Sequence, residues 1–196
     1  MAKVVADMSM SLDGFIADTQ DRTEELFGWY GNGDVEVPTA DPAMTFTVSE
    51  ASAGHLRPAL NGGVGALIAG RRIFDQTGGW GGRHPLGVPV FVVSHSVPDG
   101  WPRADSDTTF HTDAIAALEA AKKVAGDRIV AVSTPTLTRQ YLDAGLLDEI
   151  VVSLVPVLLG SGVPYFADLA KTPVRLGDPT VVPGRGVTHL TYPVKR

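Results

Sequence analysis

The chain contains no cysteine, which removes disulfides, zinc–thiolate centres and thiol nucleophiles from consideration. It has no run of basic residues: 16 Lys plus Arg stand against 22 Asp plus Glu, for a net charge of -6. No surface able to neutralise many phosphates is therefore expected, and no nucleic-acid partner. That acidity still leaves room for a single anionic cofactor held by local arginines. Long apolar runs are missing at the start, where Asp7 interrupts the stretch Val4–Met8; neither a signal peptide nor a membrane span is expected, and a cytoplasmic address is. No G-x-G-x-x-G fingerprint follows a strand-like segment and no Gly-Lys-Ser/Thr occurs, which argues against the usual dinucleotide fold and the phosphate loop of nucleotide triphosphatases. The histidines (His55, His84, His95, His111, His189) lack the close spacing of a metal-binding helix, so no metal is expected, and Gly160-Ser161-Gly162 lacks the spacing of a nucleophile elbow.

What is present is globular. The 196 residues, 44% hydrophobic and 19% charged, fit one domain over 1–196. Strand-like runs cover Val4–Met10, Val64–Ala69, Val88–Ser94, Arg128–Ser133 and, longer, Glu149–Leu159. Several are continuous rather than alternating, the pattern of strands covered on both faces in a mostly parallel sheet. Between them the spacing predicts helices over Asp113–Ala125, capped by Thr112 or Asp113, over Thr136–Ala144, and around Val48–Leu60. Val174–Val182 and Val187–Val194, joined by Pro183-Gly184-Arg185-Gly186, predict a closing antiparallel hairpin. The expectation is a three-layer α/β sandwich with a mostly parallel central sheet. Phe27–Pro42 and Thr77–Gly87 read as irregular loops rich in breakers, and their Trp29, Tyr30 and Trp80 point to a ligand cleft.

The most informative stretch is Ala66-Leu67-Ile68-Ala69-Gly70-Arg71-Arg72-Ile73-Phe74-Asp75, a strand running into glycine, two arginines and a helical pattern. Cationic side chains beside the free amides of a helix start suit a nucleotide phosphate; as solvated surface residues the same pair would be ordinary.

Ser11-Leu12-Asp13-Gly14-Phe15-Ile16-Ala17 after the first strand, followed by Gly70-Arg71-Arg72, resembles the dihydrofolate reductase-like family, in the branch that includes the reductase domain of the bacterial riboflavin biosynthesis deaminase-reductase. Ala144–Ile150 followed by Val155–Gly162 is similar to that branch's closing signature, whereas Asp13-Gly14 alone reads as a tight turn. The resemblance implies an NADPH-binding fold and reduction of a small pterin-, pyrimidine- or flavin-precursor-like heterocycle. By position, Arg71 and Arg72 would meet the adenosine 2′-phosphate and Gly70 would let the backbone come close. Ser94 and His95 would line the adenosine side, and Ile16 and Ala17 would lie near the nicotinamide.

The family usually has glycines beside the cofactor pyrophosphate; this chain has Ser133-Thr134-Pro135-Thr136. A cis Thr134–Pro135 bond would preserve the family's bend, since proline lowers the cost of cis from ~3 to ~0.5–1 kcal/mol. The ring would also remove an amide donor and add bulk, with hydroxyls of Ser133, Thr134 and Thr136 partly replacing the loss and Thr136 capping the next helix. For the proton source the resemblance implies an acid on the helix before the arginine-bearing strand. Glu50 is the best placed, with Asp41 behind it, although Glu50 reads equally as a first-turn acid complementing the helix dipole. Branch members are commonly dimers, and Ile150–Leu159 would either pair across a two-fold axis or form a buried central strand. Three readings stay open: an NADPH-dependent reductase, a non-catalytic ligand-binding protein on the same fold with cofactor use weakened by the Ser-Thr-Pro-Thr turn, and a flavin- or other nucleotide-binding enzyme.

Overall fold

Continuous apolar strands with helices between them assemble into one eight-stranded sheet in a computed structural model describing residues 2–195. In chain order the elements are β1 (Val4–Ser11), β2 (Phe15–Ala17), α1 (Glu24–Phe27), β3 (Val35–Pro38), β4 (Thr45–Val48), α2 (Glu50–Pro58), β5 (Val64–Gly70), α3 (Arg71–Gln76) and β6 (Val90–Val93). There follow β7 (Thr108–His111), α4 (Ala114–Ala125), β8 (Ile129–Val132), α5 (Pro135–Asp143), β9 (Glu149–Val155), β10 (Val163–Pro164), β11 (Thr180–Pro183) and β12 (Thr188–Pro193). The main sheet runs β11-β12-β9-β1-β8-β5-β6-β7, and β2 with β10 and β3 with β4 form two small antiparallel pairs. From β9 to β7 neighbours are parallel; β12 lies antiparallel to β9, and β11 to β12.

Alternating side chains divide the core into layers. Val4, Ala6, Ile68, Val130, Val132 and Val152 pack under Leu118 and Ala121 of α4 and Leu137 and Tyr141 of α5. Leu67, Ala69, Val90, Val92 and Ala131 turn the other way, against Phe74 of α3 with Trp80 and Trp101. A third cluster joins Leu26, Trp29, Val37, Val48 and Ala53 from α1, the 3-10 turn Gly28–Gly31, the β3–β4 hairpin and α2. The expected mostly parallel sheet, flanking helices and C-terminal antiparallel pair are all present.

The differences are local and have local causes. Asp113 rather than Thr112 caps α4, accepting from the Ala116 amide at 2.7 Å. Ser49 caps α2, so that helix begins at Glu50, and Pro58 with Gly62 and Gly63 loosens its end into a π turn. Phe27–Pro42 is not irregular throughout: Gly28 and Gly31 bound a 3-10 turn, Gly33 lies between that turn and β3, and Pro38 ends β3, which pairs with β4. Strand β7, too polar to signal itself, forms the sheet edge beside β6. The run Glu149–Leu159 is a strand only to Val155, and both its edges are taken by β1 and β12. It is a buried central strand, and no pairing of β9 across a two-fold axis is open to it. The closing hairpin starts at Thr180 rather than Val174, with only a bridge from Leu176 to Val194 before it.

Register positions the site. Ala6, Val132 and Ile68 stand side by side across β1, β8 and β5, and Gly70 faces Val93 of β6. Asp7, Ser133, Gly70 and Ser94 therefore emerge together at the carboxyl edge of the parallel strands, where open α/β sheets hold ligands.

Candidate active-site cleft

A cleft of about 1820 Å³ opens at that edge. It exceeds the roughly 300–1,000 Å³ of a site for one drug-sized ligand and has room for a dinucleotide and a second molecule. Ile16, Ala17, Gly70, Arg71, Arg72, Ser94, His95 and all of Ser133–Thr136 line it, as do Trp29, Tyr30 and Trp80. Residues scattered over 120 positions of sequence are thus brought to one concavity.

Gly70 ends β5 with its α-carbon against Thr134: a Cβ there would stand 3.2 Å from the Thr134 methyl. The glycine lets β5 and the start of α5 close on each other at the cleft rim. Arg71 and Arg72 open α3, and neither guanidinium is idle. Arg71 Nε donates to Asp75 at 2.7 Å and its Nη1 to the Ser96 carbonyl at 3.1 Å. Arg72 Nε donates to Asp21 at 2.9 Å, its Nη2 is ion-paired to the same carboxylate, and Gln76 holds the Asp21 carbonyl. Ser94 Oγ donates to the Ser96 carbonyl at 2.6 Å.

The Ser133–Thr136 segment departs from expectation. Among the described residues, the cis bonds precede Pro102 and Pro173, so Thr134–Pro135 is trans. Thr134 is extended (φ -153°, ψ 146°), the conformation favoured before proline, and Pro135 is the first residue of α5, where a missing amide costs nothing. Thr134, not Thr136, is the cap, accepting from Leu137 N at 3.4 Å. Pro135 and the Thr136 side chain remain on the cleft wall.

The structure does not bring Glu50 to the cleft. It sits in the first turn of α2 with its side chain 74% exposed and ion-paired to Arg57 at 3.1 Å, while Asp41 is on the lining. Among the acids on the lining is Asp7, in the middle of β1. Water reaches its carboxylate through the opening, but protein walls it in, and this desolvation pushes its pKa up to about 6. Desolvation alone sets that shift: among the described residues no hydrogen bond or charge partner offsets it. The one sequence signal was an ionisable residue inside an otherwise apolar strand.

Beside Asp7 stands Tyr30, whose ring is stacked between Phe27 (5.4 Å) and Phe46 (4.1 Å). Burial and the Asp7 charge push its hydroxyl pKa up, as they do that of Tyr165. Behind this wall Trp29 Nε1 donates to Ser9 Oγ at 3.2 Å. His189, 1% exposed, lies 3.0 Å from both Ser153 Oγ and Ser52 Oγ and stacks on His55 at 4.1 Å. Desolvation, and secondarily His55, lowers the His189 pKa to about 4, so His189 is neutral near pH 7; His55, half-buried on the cleft lining, is shifted downward by desolvation as well. Two signature segments prove architectural. Asp13 accepts from the amides of Leu159 (3.2 Å) and Gly160 (2.7 Å), tying the turn after β1 to the Gly160-Ser161-Gly162 loop.

Comparison with known proteins agrees with this architecture. The family profile described as the RibD C-terminal domain matches residues 86–184. The crystal structure of a putative riboflavin biosynthesis protein from Shewanella sp. PV-4 is 26% identical, with all of both chains covered and a TM-score of 0.69. An uncharacterized protein of Bacillus subtilis (strain 168), YwjB, is 26% identical over 176 residues, 89% of this chain and 88% of that one. A diaminohydroxyphosphoribosylaminopyrimidine deaminase/5-amino-6-(5-phosphoribosylamino)uracil reductase from Thermotoga maritima is 12% identical with a TM-score of 0.59; the match takes in 99% of this chain and 57% of that one, and shows the fold.

Proposed function

The chain belongs to the RibD C-terminal domain family, and from that premise we propose that it is an NADPH-dependent reductase of a small heterocyclic substrate of pterin-, pyrimidine- or flavin-precursor-like chemistry. The observation that carries the reading is the convergence of Gly70-Arg71-Arg72, Ser94-His95 and Ser133–Thr136 on one cleft of two-ligand size. The donor set fits the cofactor. Arg71 and Arg72 supply planar forks suited to a phosphate, the hydroxyls of Thr134 and Thr136 supply neutral donors, and Gly70 keeps the rim narrow. When bound, NADPH supplies the reducing equivalents. This chain's own residues would hold its phosphates, present the apolar Ile16 and Ala17 to its reactive end, and offer the Asp7 carboxyl, whose raised pKa brings proton exchange closer to neutral pH, as the candidate acid in place of Glu50.

A second reading, a ligand-binding protein that has given up the cofactor, is favoured by one feature: both arginines already hold carboxylates, Asp75 and Asp21. Titration of the purified protein with NADPH, followed by fluorescence and thermal shift, separates the two. No response at millimolar NADPH removes the reductase reading, and an equal response to NADH removes the role of Arg71 and Arg72. No helix of the described residues is long and apolar enough to cross a membrane. We place the protein in the cytoplasm as a homodimer, with exposed Leu12 and Leu158 as the apolar contact in place of β9. Light scattering that returns a 20.6 kDa particle at micromolar concentration removes the dimer.

A further inference from the structure

The chain has two asparagines, Asn32 and Asn61, and each is followed by glycine. An asparagine before glycine is open to attack by its own backbone. The next amide nitrogen can reach the side-chain Cγ, because glycine sets no side chain in the way and turns freely. Sequence alone gives the two steps the same reactivity. The structure separates them.

Asn32-Gly33 is held from both sides. Asn32 Nδ2 donates to the Arg185 carbonyl at 2.9 Å, Arg185 Nη1 donates back to the Asn32 carbonyl at 2.9 Å, and Asn32 Oδ1 is buried. The attacking atom is engaged too, since Gly33 N donates to the Thr47 carbonyl at 2.8 Å. Gly33 also presses on β4, where an added Cβ would stand 1.8 Å from the Val48 carbonyl carbon. Ring closure at this step has to open that packing first.

Asn61-Gly62 is in the opposite condition. Both residues are exposed, in the π turn between α2 and β5, and the Asn61 side chain has no hydrogen-bond partner among the described residues. The backbone has left helical geometry at both, with Asn61 at φ -88°, ψ 30° and Gly62 at φ 92°, ψ 6°. A Cβ built on Gly62 would meet nothing within 4 Å, so nothing packs against that face of the turn.

We propose that Asn61 is a self-modification site, at which the folded chain converts to aspartate and isoaspartate. The Gly62 nitrogen bonds to Asn61 Cγ, the Cγ–NH2 bond breaks, and the amide proton leaves with that group as ammonia, giving a succinimide ring. Water then adds to one of the two ring carbonyls and cleaves its bond to the Gly62 nitrogen. Opening at Cγ gives aspartate; opening at the main-chain carbonyl gives isoaspartate, whose main chain runs through the former side chain. Either product adds a negative charge, and isoaspartate adds a backbone carbon, on the turn that joins Leu60 to Val64 on the cleft wall. The conversion needs only water and stands apart from the reductase reading.

The test ages the purified chain in warm, mildly alkaline buffer, folded in one sample and unfolded by guanidinium in another. Digestion after glutamate cuts between the two steps at Glu36 and Glu50, and mass spectrometry reads the exchange of NH2 for OH in each peptide. In the unfolded sample the two asparagines should convert at similar rates. In the folded protein Asn61 should convert at least about ten-fold faster than Asn32, because only Asn32 requires local opening. The acidic form that accumulates on anion exchange should be lost in Asn61→Gln, a change at an exposed side chain. Equal conversion of the two steps in the folded protein overturns the proposal. So does an unmodified Asn61 while the unfolded sample reacts, or an acidic form that persists in Asn61→Gln.

Discussion

Replacing Asp7 by asparagine should make the protein more stable, and should do so only where the carboxyl is ionised. The folded state raises the Asp7 pKa from 3.8 to about 6. Because the folded protein binds that proton more tightly than the unfolded chain does, ionisation works against folding. The penalty is absent below the unfolded value, grows between pH 3.8 and about 6, and is complete above. Two pH units correspond to about 3 kcal/mol as an upper bound, and water entering through the cleft mouth screens this to about 1 kcal/mol. For a chain of this size that is a rise in Tm of about 2–4 °C. Urea unfolding of wild type and Asp7→Asn at pH 7.5 and 4.5 measures it, with the gain at pH 4.5 shrinking to about a third. A less stable variant at pH 7.5, or a gain independent of pH, refutes the claim that Asp7 is a desolvated and unpartnered acid. A residue that costs stability where it is ionised is one retained for what it does, the usual exchange at functional positions.

Asp21→Asn should free the Arg72 guanidinium. An exposed pair is worth up to about 1 kcal/mol, so NADPH should bind up to about five-fold tighter while NADH is unchanged, as read by fluorescence titration. Glu50→Gln should leave NADPH binding unaltered and move stability by less than about 0.5 kcal/mol, because it breaks only the exposed pair with Arg57. A large effect on either would return Glu50 to the site. Gly162→Ala should destabilise by more than about 2 kcal/mol in thermal unfolding: the new Cβ would lie 2.0 Å from the Ala17 carbonyl oxygen at a φ of +154°.

Strands with continuous apolar runs were legible because burial on both faces leaves no other pattern. Val64–Ala69 and Arg128–Ser133 came within a residue or two of β5 and β8. Strand β7 escaped because an edge strand such as Thr-Thr-Phe-His has one buried neighbour and little hydrophobic signal. The cleft residues after β5, β6 and β8 were legible because strand ends converge in a parallel sheet whatever the side chains. The acid was not. Its place before β5 favours Glu50, but a cap at Ser49 turns the first turn of α2, and with it the Glu50 side chain, to solvent. Asp7 looked like an interruption because strand parity, which turns it from the α4 side toward the cleft, depends on partners distant in the chain. The carboxylates on Arg71 and Arg72 were half visible: Asp75 follows Arg71 at helical spacing, while Asp21 reaches Arg72 across 51 residues.

The Ser-Thr-Pro-Thr turn carries a gain as well as a loss. On sequence it is a loss, with glycine amides exchanged for a ring and hydroxyls. In the fold Thr134 and Pro135 are cap and first residue of α5, so the segment is a rigid helix start already in place at the cleft wall. Rigidity lowers the ordering cost a flexible glycine loop would bear on closing over a pyrophosphate, and this offsets part of the lost hydrogen bonding. The arginines face the opposite balance. A phosphate arriving at Arg72 would compete with Asp21 for Nε and Nη2, and the second Asp21 carboxylate oxygen is buried without a partner among the described residues. On the reductase reading, cofactor affinity would therefore be governed less by the missing glycines than by the competition between Asp21 and a phosphate for one guanidinium.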